Sequence, residues 1–190
     1  MNAAAPDPFE RPLCGARVAL RPLRESDCEA FLSGVARSSQ LHGTWTSPPR
    51  DAAEFAAHLA RRGASFLPLG VFRVADGAIA GAYDLSEIVL GRFCSAYLGY
   101  YAFAPLAGQG LMREGLELVL QLAFERLGLH RLEANIQPDN LASIALVRRA
   151  GFQREGYSPG YLFIDGAWRD HERWAIRREQ AQTFRDKIVP

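Results

Sequence analysis

One segment of the 190-residue chain constrains its fold more than any other: a strand, a turn with two glycines and a long helix follow one another directly. The turn carries Gly108 and Gly110, and the helical pattern starts at Leu111. Glycine lets the backbone come close to a ligand. The start of a helix offers unpaired N–H groups and the positive end of the helix dipole. The segment therefore predicts a site for a pyrophosphate group.

Composition limits the classes of protein to consider. A hydrophobic content of 48% suits one domain with a sizeable core. The net charge of +1 gives no reason to expect direct nucleic-acid binding or attraction to a membrane. Cys14, Cys28 and Cys94 lack metal-ligand spacing, so we expect no metal, and their odd number is typical of a reducing compartment. We expect a cytoplasmic protein, either a monomer or a homodimer.

Apolar periodicity and turn residues predict an α+β, or mixed α/β, order of seven strands and four helices. We expect strands at Arg17–Leu23, Phe66–Ala75, Ala78–Val89, Ser95–Ala102, Arg131–Gln137, Gln153–Ile164 and Ala167–Ile176. We expect helices from Ser26 to about Ala36 and at Asp51–Arg62, Leu111–Leu127 and Asn140–Ala150. Residues 38–50 are predicted to form a loop. Residues 1–14 are interpreted as a flexible segment, 15–177 as the folded domain and 178–190 as a charged tail.

Local signals refine these boundaries. Ser26 and Glu29 have the spacing of a capping box at a helix start. Asn140 is a suitable N-cap for the last helix, and Gly151 stands where helices often end on a glycine. Two Asp-Gly pairs predict tight hairpin turns, at Asp76-Gly77 and Asp165-Gly166.

The glycine turn alone does not identify its ligand. A dinucleotide fold requires a third glycine where Arg113 stands, together with a regular alternation of strands and helices. A nucleotide-binding P-loop requires Gly-Lys followed by Ser or Thr, which the turn lacks. Both interpretations are excluded, and a simple tight turn is left as the alternative to a phosphate site.

Two later segments favour the phosphate site over a simple tight turn. Asn135-Ile-Gln-Pro-Asp-Asn-Leu-Ala-Ser143 is followed by Leu146-Val-Arg-Arg-Ala-Gly-Phe152. With the glycine turn, they give the chain a pattern that resembles the Gcn5-related N-acetyltransferases (GNAT). The resemblance implies a mixed, mostly antiparallel twisted sheet of about seven strands, with helices on both faces. It also implies a splayed parallel pair, here the fourth and fifth predicted strands, and acetyl-CoA as co-substrate.

Further motifs narrow the resemblance. Tyr97-Leu-Gly-Tyr100, Glu155-Gly-Tyr157 and Tyr161-Leu-Phe-Ile-Asp-Gly-Ala-Trp-Arg-Asp-His171 are similar to ribosomal-protein-alanine N-acetyltransferases of the RimJ type. This similarity implies direct acetyl transfer, within a ternary complex, to an amine such as the α-amine of a protein N-terminus. A small amine, such as an antibiotic or amino acid, is a second acceptor. A non-catalytic acyl-CoA sensor is an alternative of another class.

The resemblance implies a set of cofactor-binding residues: Ala102, Gly108, Gln109, Gly110, Leu111, Met112, Arg113, Asn140 and Ser143. At two positions the sequence departs from the family pattern, one in the phosphate-binding loop and one at the usual proton donor. Pro105-Leu-Ala107 fills the place of a basic or Gln residue, so backbone N–H groups would hold the phosphates. Val147 stands where many relatives carry a proton-donating Tyr.

Three residues are candidates for catalysis: Glu133, Ser143 and Tyr101. Ser143 is the hydroxyl expected to serve the leaving thiolate. Glu133 is the carboxylate on the fifth predicted strand, either a base or a salt-bridged strand residue. Tyr100 and Tyr101 are expected to pack in the core, although one backbone N–H there could stabilise an oxyanion. His130 is expected to be structural and His171 to lie at the surface.

Overall fold

The computed structural model describes residues 11–181 as an eight-stranded sheet with helices on both faces. The strands are β1 Leu13–Cys14, β2 Val18–Pro22, β3 Phe66–Arg73, β4 Ile79–Val89, β5 Ser95–Ala102, β6 Arg131–Ile136, β7 Gln153–Ile164 and β8 Ala167–Arg177. The helices are α1 Cys28–Arg37, α2 Ser39–His42, α3 Ala52–Ala60, α4 Leu111–Gln121 and α5 Leu141–Arg149. The predicted fold class is confirmed, with one strand more than expected.

The additional strand alters the predicted domain boundary. Leu13 and Cys14 pair with Leu20 and Ala19 of β2, so the sheet begins before residue 15. A strand of two residues is too short to produce an alternating pattern in the sequence. Of the predicted flexible segment, residues 1–10 lie outside the described part of the chain. Of the predicted tail, residues 178–181 are helical and 182–190 lie outside the described part.

The sheet follows the order β1-β2-β3-β4-β5-β6-β8-β7. All neighbours are antiparallel except β5 and β6, which run parallel. These two strands pair at only three positions, the last being Tyr97 opposite Glu133. Beyond that pair, β5 continues to Ala102 and β6 to Ile136 with no ladder between them. The expected splayed pair is therefore present, and it opens a gap in the middle of the sheet.

Strand alternation gives the two faces of the sheet different environments. On one face, α4 and α5 pack on a large apolar core that includes Leu116, Leu132 and Val147. On the other face, α1 and α3 pack through Phe31 and Phe55 on a smaller aromatic core. The larger core buries β5 and β6 side chains on the α4 side, so it fixes the backbone on both sides of the gap.

Three local predictions are corrected. The Ser26–Glu29 capping box is not formed; the Asp27 carboxylate instead accepts the Arg24 N–H at 2.8 Å and two Arg21 guanidinium bonds, each at 2.7 Å. The loop predicted at 38–50 contains the short helix α2. After α4, residues Leu122–Arg126 form a π-helical turn rather than a continuing α-helix. The Asp165-Gly166 turn is confirmed, with both φ angles positive, at 50° and 74°.

Candidate active site

A cleft of about 550 Å³ is lined by Tyr100 and Ala102 of β5, beyond the last residue that pairs with β6. The glycine turn and the start of α4 line one side of it, and the start of α5 lines another. Residues of α2 and the following loop, including His42 and Trp45, complete the wall. The cleft therefore joins the glycine turn to the gap between the parallel strands.

The glycine turn has a backbone that other residues rarely adopt. Gly108 and Gly110 both have φ at +79°, in the left-handed region. Gly110 is the N-cap of α4, and a Cβ added at Gly108 would meet no atom within 4 Å. The turn thus presents bare backbone and a helix start to the cleft, which is the arrangement that binds phosphate oxygens.

Arg17, immediately before β2, braces this turn. Its Nε pairs with Glu114 Oε2 at 3.0 Å, and its Nη1 donates to the Gln109 carbonyl at 3.1 Å. Its Nη2 lies 3.3 Å from where a Cβ of Gly110 would stand. A guanidinium that is itself paired with Glu114 therefore fixes the turn. This contact was not predicted, because the two partners lie 97 positions apart in the sequence.

Ser143 of α5 and Tyr100 of β5 place a pair of hydroxyl groups on the cleft. Asn140 Oδ1 accepts the Ser143 N–H at 3.2 Å, which confirms Asn140 as the N-cap. The Ser143 hydroxyl is hydrogen bonded to the Tyr100 hydroxyl. Burial raises the pKa of Tyr100, so this phenol keeps its proton at neutral pH. Tyr100 packs on Tyr83 as expected, but its link to Ser143 was not predicted.

The cleft brings together most of the predicted cofactor-binding residues: Ala102, Gly108, Gly110, Met112, Arg113, Asn140 and Ser143. Two of the set lie elsewhere. The Gln109 side chain is exposed and donates to the Pro105 carbonyl at 3.1 Å. The Leu111 side chain is buried in the larger core, so only its backbone can face a ligand.

Tyr101, a predicted catalytic residue, lies on the opposite face from Tyr100. Its ring packs on Phe31 and Phe103, and its buried hydroxyl has no hydrogen-bond partner. Burial, and then the charge of Asp84, raise the pKa of this hydroxyl. The catalytic role of Tyr101 stays a prediction.

The backbone of β5 alternates between its two neighbours. The Phe103 N–H donates to Ala80 of β4 at 2.8 Å. Antiparallel alternation then directs the Tyr101 N–H towards β4 and the Tyr100 N–H towards β6. Because β6 does not pair at that level, the Tyr100 N–H faces the gap. Of the two tyrosines, Tyr100 is the one whose N–H could meet an oxyanion.

Glu133 lies at the closed end of the gap, opposite Tyr97. Its Oε1 accepts Arg131 Nε at 2.9 Å, and Arg131 also bonds Glu155. This ion pair agrees with the salt-bridged alternative, so the role of Glu133 as a base stays a prediction. Strand alternation places Asn135 on the same face, where its Oδ1 is buried without a hydrogen-bond partner.

Three histidines differ in their surroundings. His42 was not predicted to matter, yet it lines the cleft and its Nε2 donates to the Ala102 carbonyl at 2.9 Å. Burial lowers its pKa. His171 is buried, with 2% of its surface exposed, so the expected surface position is wrong. His130 lies just before β6, and its Nε2 is 3.6 Å from Glu179 Oε1.

Two features are absent from residues 11–181, the part of the chain that the structure describes. No cluster of three histidine, cysteine or carboxylate side chains is arranged to hold a metal ion there. No helix in the same part of the chain is long and apolar enough to cross a membrane.

The splayed strands, the glycine turn and the α5 start define a recognisable class of fold. The family described as "Acetyltransferase (GNAT) domain" matches residues 17–153, and the chain belongs to this family. The resemblance to Gcn5-related N-acetyltransferases is thereby confirmed.

Two sequence relatives and one solved structure are similar to this chain. The chain is 39% identical over 111 residues to the [ribosomal protein uS5]-alanine N-acetyltransferase of Escherichia coli, covering 58% of this chain and 57% of that protein. It is 37% identical over 107 residues to the probable N-acetyltransferase YjcK of Bacillus subtilis, covering 56% and 59%. Each alignment thus spans less than two thirds of the relative. The structure of Mycobacterium smegmatis RimJ in complex with CoA-disulfide superposes with a TM-score of 0.80 at 27% identity, covering 90% and 88%.

Proposed function

We propose that this chain is an acetyl-CoA-dependent N-acetyltransferase whose acceptor is the α-amine of a protein N-terminus. One observation carries the proposal. The gap between β5 and β6 opens into a cleft that has the glycine turn on one side and the Tyr100–Ser143 hydroxyl pair on another. The cleft thus brings the proposed phosphate site and a proton-donating hydroxyl pair together beside the gap in the sheet.

The residues around the cleft fit coenzyme A. Two glycines with φ at +79° leave the turn free of side chains, and the helix start supplies N–H groups for a pyrophosphate. Arg113 and Arg149 line the same cleft, and Arg17 braces the turn. Together they offset the absence of a basic residue at Pro105–Ala107. When bound, acetyl-CoA supplies the acetyl group as a thioester.

The chain's own groups suit direct transfer to an amine. The Tyr100 N–H faces the gap and can donate to a carbonyl oxygen as charge develops on it. The Tyr100 and Ser143 hydroxyls form a protonated pair that can donate to a leaving sulfur. A free α-amine has a pKa near about 8, so only a modest proton acceptor is required. Positioning then accounts for much of the rate.

The α-amine acceptor has its own support. The Escherichia coli relative at 39% identity is a ribosomal-protein-alanine N-acetyltransferase, and the structural relative at 27% identity is RimJ. A peptide that begins with alanine is therefore the acceptor to test first.

Thiol release from acetyl-CoA tests this proposal. The purified chain is incubated with acetyl-CoA and either an alanyl peptide or spermidine, each at matched concentration. We expect faster thiol release with the peptide. Faster release with spermidine would favour a small-amine acceptor. No release with either, despite tight acetyl-CoA binding, would favour the sensor alternative.

A further inference from the structure

Gly99 is an exposed residue in the middle of a central strand. It lies on β5, between β4 and β6, where side chains normally cover the backbone. A Cβ added at Gly99 would meet only Asp84 Cβ, at 3.9 Å. The face of the sheet that carries α1 and α3 therefore has a hole at this residue, beside the gap between the parallel strands.

Two polar side chains flank this hole. Asp84 of β4 is the direct ladder partner of Gly99. Asn135 of β6 stands two residues beyond Glu133, just as Gly99 stands two residues beyond Tyr97, the last paired residue of β5. Neighbouring strands are about 4.8 Å apart, so Asp84 lies one strand from the gap. Asn135 borders the gap from the opposite side.

Two buried oxygen atoms without hydrogen-bond partners belong to residues on the same face of the sheet. Asn135 Oδ1 and the Tyr101 hydroxyl are the buried side-chain polar atoms that lack partners in residues 11–181. Tyr101 is two residues from Gly99 on the same face. The negative charge of Asp84 contributes to the raised pKa of the Tyr101 hydroxyl. Buried polar atoms without partners are rare and indicate a missing ligand or water.

Asp84 is held in place from α3. His58 Nε2 lies 3.1 Å from Asp84 Oδ1, and the His58 ring packs edge-on against Phe66. His58 also lines a second cavity of about 480 Å³, together with Arg50, Glu54 and Asp165. His58 is thus the residue that links Asp84 to this cavity.

We propose that Asp84, Tyr101 and Asn135 form the site for the acceptor's ammonium group, above Gly99 and beside the gap. An ammonium carries three N–H donors, which matches one carboxylate, one hydroxyl oxygen and one amide oxygen. Asp84 supplies the opposite charge, and His58 orients it. The residues that follow the ammonium occupy the cavity beside His58. This inference rests on the proposed function, since it assigns the acceptor end of the same reaction.

Two peptides that differ only in the amine isolate the interaction. One peptide begins with alanine, and its desamino analogue carries a propionyl group instead. Calorimetry measures their affinities with coenzyme A present in excess. We expect the wild type to bind the alanyl peptide at least about tenfold more tightly, the scale of a charge-assisted hydrogen bond. Asp84→Asn should bring the two affinities to within about twofold of each other.

Control variants separate this effect from folding. Asp76→Asn removes a carboxylate in the remote β3–β4 turn and should keep the full preference. Gly99→Ala should fill the hole without a clash, so it should weaken alanyl-peptide binding at least about fivefold while coenzyme A affinity is unchanged. Gly99→Ala also tests the site if Asp84→Asn fails to fold.

The outcomes distinguish this inference from the proposed function. A wild type that binds both peptides equally, or an Asp84→Asn variant with the full preference, overturns the ammonium site. Thiol release with the alanyl peptide would then still support the proposed function. Preferential binding without thiol release would instead retain the site and contradict the activity.

Discussion

At the scale of single residues, the site depends on positions where one residue type is required. Gly110 is the clearest, since its φ of +79° and its place at the N-cap of α4 both follow from the absence of a side chain. Tyr100 is another, because one residue packs on the core, bonds Ser143 and turns its N–H to the gap.

Gly110→Asp should weaken acetyl-CoA binding by at least about tenfold, because a side chain and a negative charge would enter the phosphate site. Isothermal calorimetry measures the affinity. Gly77→Asp is the matched control: Gly77 has φ at +73° with open space around it, in a turn remote from the cleft. Equal affinities for the two variants would remove the glycine turn from the phosphate site.

Ser143→Ala and Tyr100→Phe each remove one member of the hydroxyl pair. We expect kcat to fall by about tenfold or more in both variants, since proton donation to the leaving sulfur is impaired. Acetyl-CoA affinity should change by less than about threefold. Steady-state kinetics and calorimetry check the two quantities. Wild-type kcat in both variants would exclude the pair from proton transfer.

Glu133→Gln tests the remaining candidate base. If Glu133 accepts the proton of the amine, the rate at neutral pH should fall by about 10²-fold. The loss should shrink as pH rises, because more acceptor is already neutral. A pH–rate profile that overlays the wild type would leave Glu133 with the ion pair to Arg131 alone.

At the scale of elements, junctions between strands and helices are held by polar contacts that sequence patterns identify only in part. Asn140 was predicted as a cap because its side chain acts within its own turn. Asp27 was missed in favour of Ser26, because its partner Arg21 belongs to β2. Local contacts leave a pattern in the sequence, whereas contacts between elements depend on the tertiary fold.

Asp27 gives the β2–α1 junction a pH dependence. Burial alone would raise its pKa, but hydrogen bonds from Arg21 and from the Arg24 N–H, together with their charges, lower it overall. A carboxyl whose pKa is lower in the folded state than in the unfolded state stabilises the fold at any pH above its unfolded-state pKa, about 3.9. This contribution is lost as pH falls through the folded-state pKa. Asp27→Asn should therefore cost about 2 kcal/mol at pH 7.

Chemical denaturation of wild type and Asp27→Asn across pH checks this expectation. The difference in the free energy of unfolding should be constant near neutrality and shrink below about pH 4. A difference that is the same at pH 7 and at the lowest pH tested would show that the ionised carboxylate contributes nothing to the junction.

At the scale of the whole molecule, the sheet, the splayed pair and the glycine turn were predicted before the structure was known. The sheet and the glycine turn have local patterns: strand alternation, Asp-Gly turns and a glycine before a helix. The splayed pair was implied by the resemblance to Gcn5-related N-acetyltransferases. The Arg17–Glu114 brace, the Tyr100–Ser143 pair and the hole at Gly99 have no local pattern, since each joins residues that meet only in the folded chain. The backbone elements of the site could thus be predicted from the sequence, whereas the partners of its side chains could not.

Acetyl transfer to protein α-amines is the proposed function of this chain. Mass spectrometry of protein N-termini tests it most directly, in cells that lack the gene and are complemented with either the wild type or Gly110→Asp. We expect a small set of N-termini to be acetylated with the wild type and to lack the acetyl group with the variant. Identical N-terminal acetylation in both strains, with both proteins folded and equally abundant, would contradict it.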